Sequence, residues 1–295
     1  MKATETAGGV GEALAAAVDA LAAAGVETPR LDAELLLSEA TGWDRAALAA
    51  DPGRGVPAPA ARCFGEMVRR RLRREPVAYI VGRRGFRSIE LAVDGRVLVP
   101  RPETELLVEL ALELRPASVL DVGTGCGAVA LAIADELPDC EVTGTDSSAA
   151  ALEVARANAE ALGLAGRVAF VHGSVPERAF DLLVANLPYV AEPDWPSLQP
   201  EVNEWEPRGA LLAGPDGLDA IRALLTALSP GCRISFEGVD GNTTSGGGGE
   251  AVALEVGAGQ ADAVAAMLAE AGFGAIERRR DLAGIERVVW GARAR

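Results

Sequence analysis

Beyond Pro116, short apolar runs alternate with segments of helical period, and this alternation restricts the fold more than any other feature of the chain. Strands are expected at Ser118–Val122, Glu141–Thr145, Arg167–Val171 and Phe180–Ala185, then at Ala251–Val256, with late ones at 274–280 and 286–291. Helices are expected at 127–137, 148–163, 216–229 and 260–272. A repeat of this spacing predicts an α/β chain with a doubly wound, Rossmann-like parallel sheet, whose ligands sit at the carboxyl ends of the strands.

The first hundred residues are patterned differently. Val10, Leu14, Val18 and Leu21 share one helical face that Gly25 stops, and Leu31 with Leu35, Leu36 and Leu37 form a second stripe behind Pro29. A third helix, about 58–75, carries Phe64, Met67, Val68 and Leu72 on one side and Arg62, Arg69, Arg70, Arg71, Arg73 and Arg74 on the other. From 85 to 99 the period falls to two around the turn signal Asp94-Gly95, which predicts a β-hairpin. The expected organisation is a small helical domain over 1–83, a hairpin linker over 84–99 and a catalytic domain over 100–295. Within the last, 238–249 is half glycine and reads as a flexible surface insertion, with Ile234–Phe236 before it as a candidate extra strand.

Charge and composition exclude several classes. The net charge is −15, yet residues 61–99 carry ten basic and four acidic side chains, so the arginine run stands out as a solvated face or a surface for an acidic partner. A catalytic domain this acidic is a poor match for nucleic acid as a direct substrate. His172 is the only histidine, and the four cysteines lie far apart, which rules against zinc clusters, a Ser-His-Asp triad and a metal centre of any Cys/His type. Scattered thiols and an N-terminal segment broken by Glu5, Glu12 and Asp19 predict a soluble, cytoplasmic protein without membrane association, expected to be a monomer.

Asp121-Val-Gly123-Thr124-Gly125-Cys126-Gly127 follows the first strand of the alternating region and opens a helix. Glycines let the backbone turn and approach a ligand closely, and a helix N-terminus offers free amides. Asp146 closes the next strand, where a carboxylate can accept from both hydroxyls of a ribose. Together they predict a nucleoside cofactor. Gly123-x-Gly125-x-x-Ala128 also fits the dinucleotide fingerprint, so NAD and S-adenosylmethionine both remain candidates, with Asp121 favouring a cationic amino acid moiety over a pyrophosphate. Asn186-Leu187-Pro188-Tyr189 ends the fourth strand at the same edge. Asn186 offers an amide acceptor and two donors, Pro188 holds Leu187 extended with its carbonyl outward, and Tyr189 adds a flat wall. Such a constellation can grip a planar amide and aim its nitrogen.

These residues resemble the signature of amino-methyltransferases that use S-adenosylmethionine. The wider pattern resembles the release factor glutamine methyltransferase (HemK-type) family, through Gly85-Phe86, Val99-Pro-Arg-Pro-Glu-Thr-Glu105, Glu206-Pro207, 213–218, Glu255-Val-Gly257 and Asp281-Leu-Ala-Gly284. The resemblance implies N5-methylation of the glutamine in the Gly-Gly-Gln motif of peptide chain release factors. It also implies an N-terminal domain that docks the protein substrate, and catalytic roles for Asn186, Leu187, Pro188 and Tyr189. Cofactor contacts are implied for Asp121, Gly123, Thr124, Gly125, Cys126, Gly127, Asp146, Asn186 and Val175. Leu187 departs from the family's proline, and Ser174-Val175 stands where an acidic and an apolar residue often flank the adenine. Rival readings are a ribosomal-protein glutamine methyltransferase, an adenine-N6 DNA methyltransferase and a non-catalytic adaptor for translation factors.

Overall fold

Caps and breakers set most element boundaries in the computed structural model, which describes residues 6–173, 175, 179–228 and 251–293. The chain begins with β1 (Thr6–Gly9), α1 (Val10–Ala23), α2 (Pro29–Thr41), α3 (Arg45–Ala50), β2 (Gly55–Pro57), α4 (Ala58–Leu72) and α5 (Val77–Val81). Pro29 starts α2 and Gly42, left-handed, ends it, while the Asp44 carboxylate accepts from the Ala47 amide to start α3. Next come β3 (Arg83–Phe86), β4 (Ile89–Ala92), α6 (Glu105–Leu114), β5 (Ser118–Val122), α7 (Ala128–Glu136), β6 (Glu141–Asp146), α8 (Ala149–Ala161), β7 (Val168–His172) and β8 (Leu182–Ala185). After α9 (Pro200–Asn203) follow α10 (Asp219–Ala227), β9 (Ala251–Glu255), α11 (Ala261–Glu270), β10 (Gly274–Arg280) and β11 (Glu286–Ala292).

The described chain divides into two units. Residues 1–83 with 199–205 make one, and 84–198 with 206–295 the other. The first unit packs Val10, Leu14, Leu21, Leu36, Leu37, Leu48 and Phe64 into one core, and adds a short antiparallel pairing of β1 with β2 where the sequence pattern predicted helices alone. Segment 199–205 brings an acidic side chain into it. Arg71 is 5% exposed and donates to Asp32 Oδ2 at 2.7 Å and to Glu201 Oε1 at 2.6 Å. Arg74 grips both oxygens of Glu201, at 2.7 and 2.5 Å, and Arg70 grips Glu75.

The arginine run is therefore not the single solvated or docking face that its periodicity predicted. Half of it is spent inside the unit, because the carboxylates that neutralise it come from distant parts of the chain. Leu72, expected in the core, is exposed instead.

The second unit is built on a seven-stranded sheet of order β10-β11-β9-β8-β5-β6-β7. Strands β7, β6, β5, β8 and β9 run parallel, and β11 is antiparallel to both β9 and β10. This is the doubly wound sheet expected from the alternation, and Val119, Leu120, Leu182, Val184, Ala253 and Leu254 are buried along it. The hairpin differs from expectation. It reverses at Arg87-Ser88, between β3 and β4, and not at Asp94-Gly95. The ladder stops at Ala92 because the Asn158 side chain takes that residue's amide at 2.8 Å and its carbonyl at 3.1 Å. The glycine-rich 238–249 and the candidate strand 234–236 lie outside the described residues. Among the described residues no helix is long and apolar enough to cross a membrane.

The buried network in the first unit yields a stability prediction. Glu201→Ala leaves Arg71 buried without one of its partners, and should cost about 3–5 kcal/mol in urea unfolding. Arg69→Ala, on an exposed pair with Glu66, should cost under about 1 kcal/mol. Equal losses would remove the distinction between buried and exposed arginines.

Candidate active site

The sheet places the two motifs side by side. β5 lies between β6 and β8, with Asp121 opposite Gly144 on one side and Val184 on the other. The crossovers leave β5 in opposite directions, which opens a crevice at the carboxyl ends. Gly123–Gly127 leaves β5 there, Asp146 ends β6, and Asn186–Tyr189 leaves β8. Gly123 has φ +75, and a Cβ on it would stand 3.2 Å from the Leu187 Cδ2, so the two loops approach closely only because this residue is glycine.

The loop's amides are mostly used within the chain. The Gly123 and Thr124 amides donate to the Thr145 carbonyl at 2.8 and 2.9 Å, and the Gly127 amide donates to the Thr124 carbonyl at 2.8 Å. The Gly125 amide donates to Asp146 Oδ2 at 2.9 Å, while Asp146 Oδ1 accepts from the Ser148 amide at 2.8 Å. These four loop amides are committed within the chain, and so is the Ala130 amide in the first turn of α7, whereas Asp146 keeps lone pairs for hydroxyl donors.

Asp121 is 2% exposed. Its Oδ2 accepts from the Thr124 hydroxyl at 2.6 Å and from the Ala130 amide at 3.2 Å, so it braces the loop from below and is not simply aimed into it. Burial pushes its carboxyl up to about 7, against these two hydrogen bonds. Thr124 and Cys126 are also buried. Burial raises the Cys126 thiol to about 12, and its carbonyl accepts from Asn158 Nδ2 at 2.9 Å. Both residues shape the loop from inside, and their side chains are not offered to a ligand. Val175 is half-buried against the apolar cluster of Leu120, Phe180 and Leu183, and Ser174 lies outside the described residues.

Asn186 is held on one side only. Its Nδ2 donates to the Thr104 hydroxyl oxygen at 3.0 Å. Among the described residues nothing donates to its Oδ1 or to the Leu187 carbonyl. Tyr189 is fixed through its backbone, the carbonyl accepting from Gln260 Nε2 at 3.0 Å. Burial raises its hydroxyl to about 12, so the ring is a neutral wall. Gly217, at φ +76, is forced by the same loop, because a Cβ there would lie 2.3 Å from the Tyr189 carbonyl oxygen.

Several residues here lie in the motifs that carry the family resemblance but were given no role by sequence reasoning. Thr104 and Glu255 are buried beside Asn186, and Arg101 donates to both oxygens of the buried Glu206 at 2.7 and 2.8 Å. A signal existed for Glu255: it is the one charged residue in the apolar run Ala251–Val256.

Residues 12–82 match the family described as the PrmC N-terminal domain, and residues 119–205 a methyltransferase domain. The release factor glutamine methyltransferase of Caulobacter vibrioides is 39% identical over 294 residues, covering 96% of each chain. That of Geobacter sulfurreducens is 40% identical over 282 residues, covering 92% of each. The chain belongs to the release factor glutamine methyltransferase family.

It is an enzyme of the methyltransferase class, and the fold agrees. The hMettl16 catalytic domain, solved in complex with the MAT2A 3'UTR hairpin 6, shares it with a TM-score of 0.51 at 14% identity, over 82% of this chain and 86% of that one. The scattered motifs meet within the second unit: Thr104 accepts from Asn186, Arg101 of the same segment holds Glu206, and Glu255 follows the β9 residue that pairs with Ala185.

The raised carboxyl of Asp121 yields a pH prediction. A carboxyl group whose folded pKa lies above its unfolded value stabilises the fold at low pH, and that contribution disappears as pH rises through about 7. Asp121→Asn removes the charge, so it should raise Tm at pH 8 by a few degrees, at roughly 2–4 °C per kcal/mol, with the gain shrinking at pH 5.5. A lower Tm at both pH values would show that Asp121 is stabilising in its charged form.

Proposed function

We propose that this enzyme transfers the methyl group of S-adenosylmethionine to the side-chain amide nitrogen of the glutamine in the Gly-Gly-Gln motif of peptide chain release factors, in the cytoplasm. The observation that carries the reading is the one-sided anchoring of Asn186. With one N–H given to Thr104, its Oδ1 and the neighbouring Leu187 carbonyl are two acceptors without donors, held at the mouth of the crevice beside the glycine loop. Two acceptors are what a primary amide needs to bind through both of its N–H groups.

The residues of the crevice suit the cofactor. The glycine loop gives a close backbone approach, and Asp146 accepts the ribose hydroxyls. Asp121 supplies negative charge beneath the methionyl end, and Val175 is assigned to the adenine. The cofactor brings a methyl group already activated by its sulfonium. The chain then has mainly to position the acceptor, an effect that can supply about 7–11 kcal/mol. Asn186 Oδ1 and the Leu187 carbonyl accept from the amide and draw its lone pair onto nitrogen. Pro188 keeps that carbonyl pointed outward, and Tyr189 walls the glutamine stem. Proton loss can follow transfer, so no strong base is needed. The N-terminal unit is assigned to docking the protein acceptor, through surfaces other than the paired Arg70, Arg71 and Arg74.

Incubation with release factor and labelled S-adenosylmethionine, followed by mass spectrometry of the peptide, should place one methyl group on the glutamine of Gly-Gly-Gln. Label on a ribosomal protein alone would redirect the substrate assignment. Calorimetry should show binding of S-adenosylmethionine and none of NAD.

Asn186→Ala should lower kcat by about 10²–10⁴ with little loss of cofactor affinity. Asn186→Asp keeps the shape but replaces the donor to Thr104 with a charge, and should be similarly impaired. Near-native turnover by Asn186→Asp would mean that the residue only shapes a turn.

A further inference from the structure

The reaction, as described above, leaves one surface feature without a role: the hairpin tip 281–285, between β10 and β11. We propose that this tip is a docking point for the protein acceptor, where Leu282 and Ile285 take an apolar side chain flanking the Gly-Gly-Gln segment. The inference rests on the glutamine-amide reading of the site.

The sheet puts the tip at the acceptor's edge. Ala185 pairs with Leu254 across β8 and β9, and the next residue, Glu255, pairs with Val288 of β11. Asn186 is therefore level with Val288 and two strands away, a distance of about 10 Å. β10 and β11 run on past that level. The Arg287 carbonyl accepts from the Val256 amide at 2.8 Å, and Arg280 pairs with Glu286 before the chain turns. The tip thus stands about 10 Å beyond the end of β9. The ground between belongs to the wall of the site, because a Cβ on Gly257, just after β9, would lie 3.2 Å from the Tyr189 Cδ2. An acceptor whose glutamine lies in the crevice carries its chain out in two directions. Four or five residues of extended backbone span the roughly 15 Å to the tip.

The tip is built to hold an apolar side chain in water. Leu282 is fully exposed, more so than any other large apolar side chain among the described residues, and Ile285 is exposed beside it. Neither sits on a loose loop. The Asp281 carboxylate accepts from the Ala283 and Ile285 amides and from Arg287 Nε, each at 2.9 Å. The Asp281 amide donates to the Ile285 carbonyl and the Gly284 amide to the Asp281 carbonyl, both at 2.9 Å. Arg280 Nη1 donates to the Gly284 carbonyl at 3.0 Å, and Gly284 supplies the left-handed turn at φ +80. A turn ordered in advance gives up little entropy when a partner covers it.

The chemistry of the partner follows from what the tip offers. Its charges are already paired, Arg280 with Glu286 and Arg287 with Asp281. What it has left to give is the apolar pair, and burying one leucine is a substantial gain for a complex. Continuity with the Tyr189 wall identifies the occupant as the acceptor protein itself.

The test measures release factor binding in the presence of S-adenosylhomocysteine, together with steady-state methylation. Leu282→Ser changes a fully exposed side chain, so Tm should stay nearly unchanged. Its Kd and KM for release factor should rise at least about tenfold, the scale of one buried leucine. Saturated kcat and the Kd for S-adenosylmethionine should stay within about twofold, since uniform binding alone is lost. Leu282→Met, which keeps the apolar bulk, should bind release factor nearly as well as the wild type. Asp281→Ala, which frees the turn, should weaken binding on its own and add little to Leu282→Ser. Unchanged release factor binding in Leu282→Ser, a fall in kcat without a rise in KM, or equal damage from Leu282→Met would each overturn the proposal. So would self-association of the wild type that Leu282→Ser abolishes, since the tip would then serve a second copy of the chain. If the wild type methylates the Gly-Gly-Gln glutamine and Leu282→Ser binds release factor equally well, only this inference fails. If the wild type does not methylate it, the reading of the site fails as well.

Discussion

Asp121 is folded beneath the loop that follows it, and the loop's geometry depends on that carboxyl. One oxygen ties Thr124 of the loop to Ala130 in the first turn of α7, so strand end, loop and helix start become a single rigid corner. The corner fixes where Gly123 lies, and Gly123 sets how closely the Asn186–Tyr189 loop can approach. On the other side, Asp146 receives the Gly125 amide and draws the loop toward the end of β6. The crevice is thus shaped by carboxylates spent on backbone, at the cost of burying a charge that burial disfavours.

Acidic groups recur around this crevice. Asp121 and Glu255 are both pushed up to about 7, and burial raises Glu206 in spite of its pairing with Arg101. A cationic ligand would favour the charged form of these carboxyls and an anionic one would oppose it, which suits the positively charged ligand proposed here. The concentration of acidic groups also explains how a chain with one histidine can run a transfer reaction. Rigid acceptors, backed by buried hydrogen-bond partners, replace a titrating base. Positioned dipoles of this kind need no reorganisation as charge develops.

What the sequence disclosed follows the range of the interactions involved. The strands and helices of the sheet, the glycine loop and Asp146 were legible because each is written in a short window: an apolar run, a turn, a strand end. The Asn186–Tyr189 loop was legible for the same reason. The hairpin turn was misplaced because Asp94-Gly95 is a good local turn signal, while the ladder is ended by Asn158, far away in α8. The arginine run misled in a similar way, since Glu201, which takes up Arg71 and Arg74, lies 130 and 127 residues on. Glu255 stands out within its apolar run, but nothing local links it or Thr104 to Asn186. The adjacency of β8 and β9 brings Glu255 there, and Thr104 arrives from the segment before α6.

The borrowed segment 199–205 bears on how the protein is made. Residues 1–83 are synthesised before Glu201, so until then Arg71 has only Asp32 as a carboxylate partner and the half-buried Arg74 lacks its own. At roughly 5–20 residues per second, that is a wait on the order of ten seconds with Arg71 and Arg74 only partly neutralised. These contacts of the helical unit can therefore form only once much of the methyltransferase sheet has been translated. Its final locking is a late event in biosynthesis, although its residues come first.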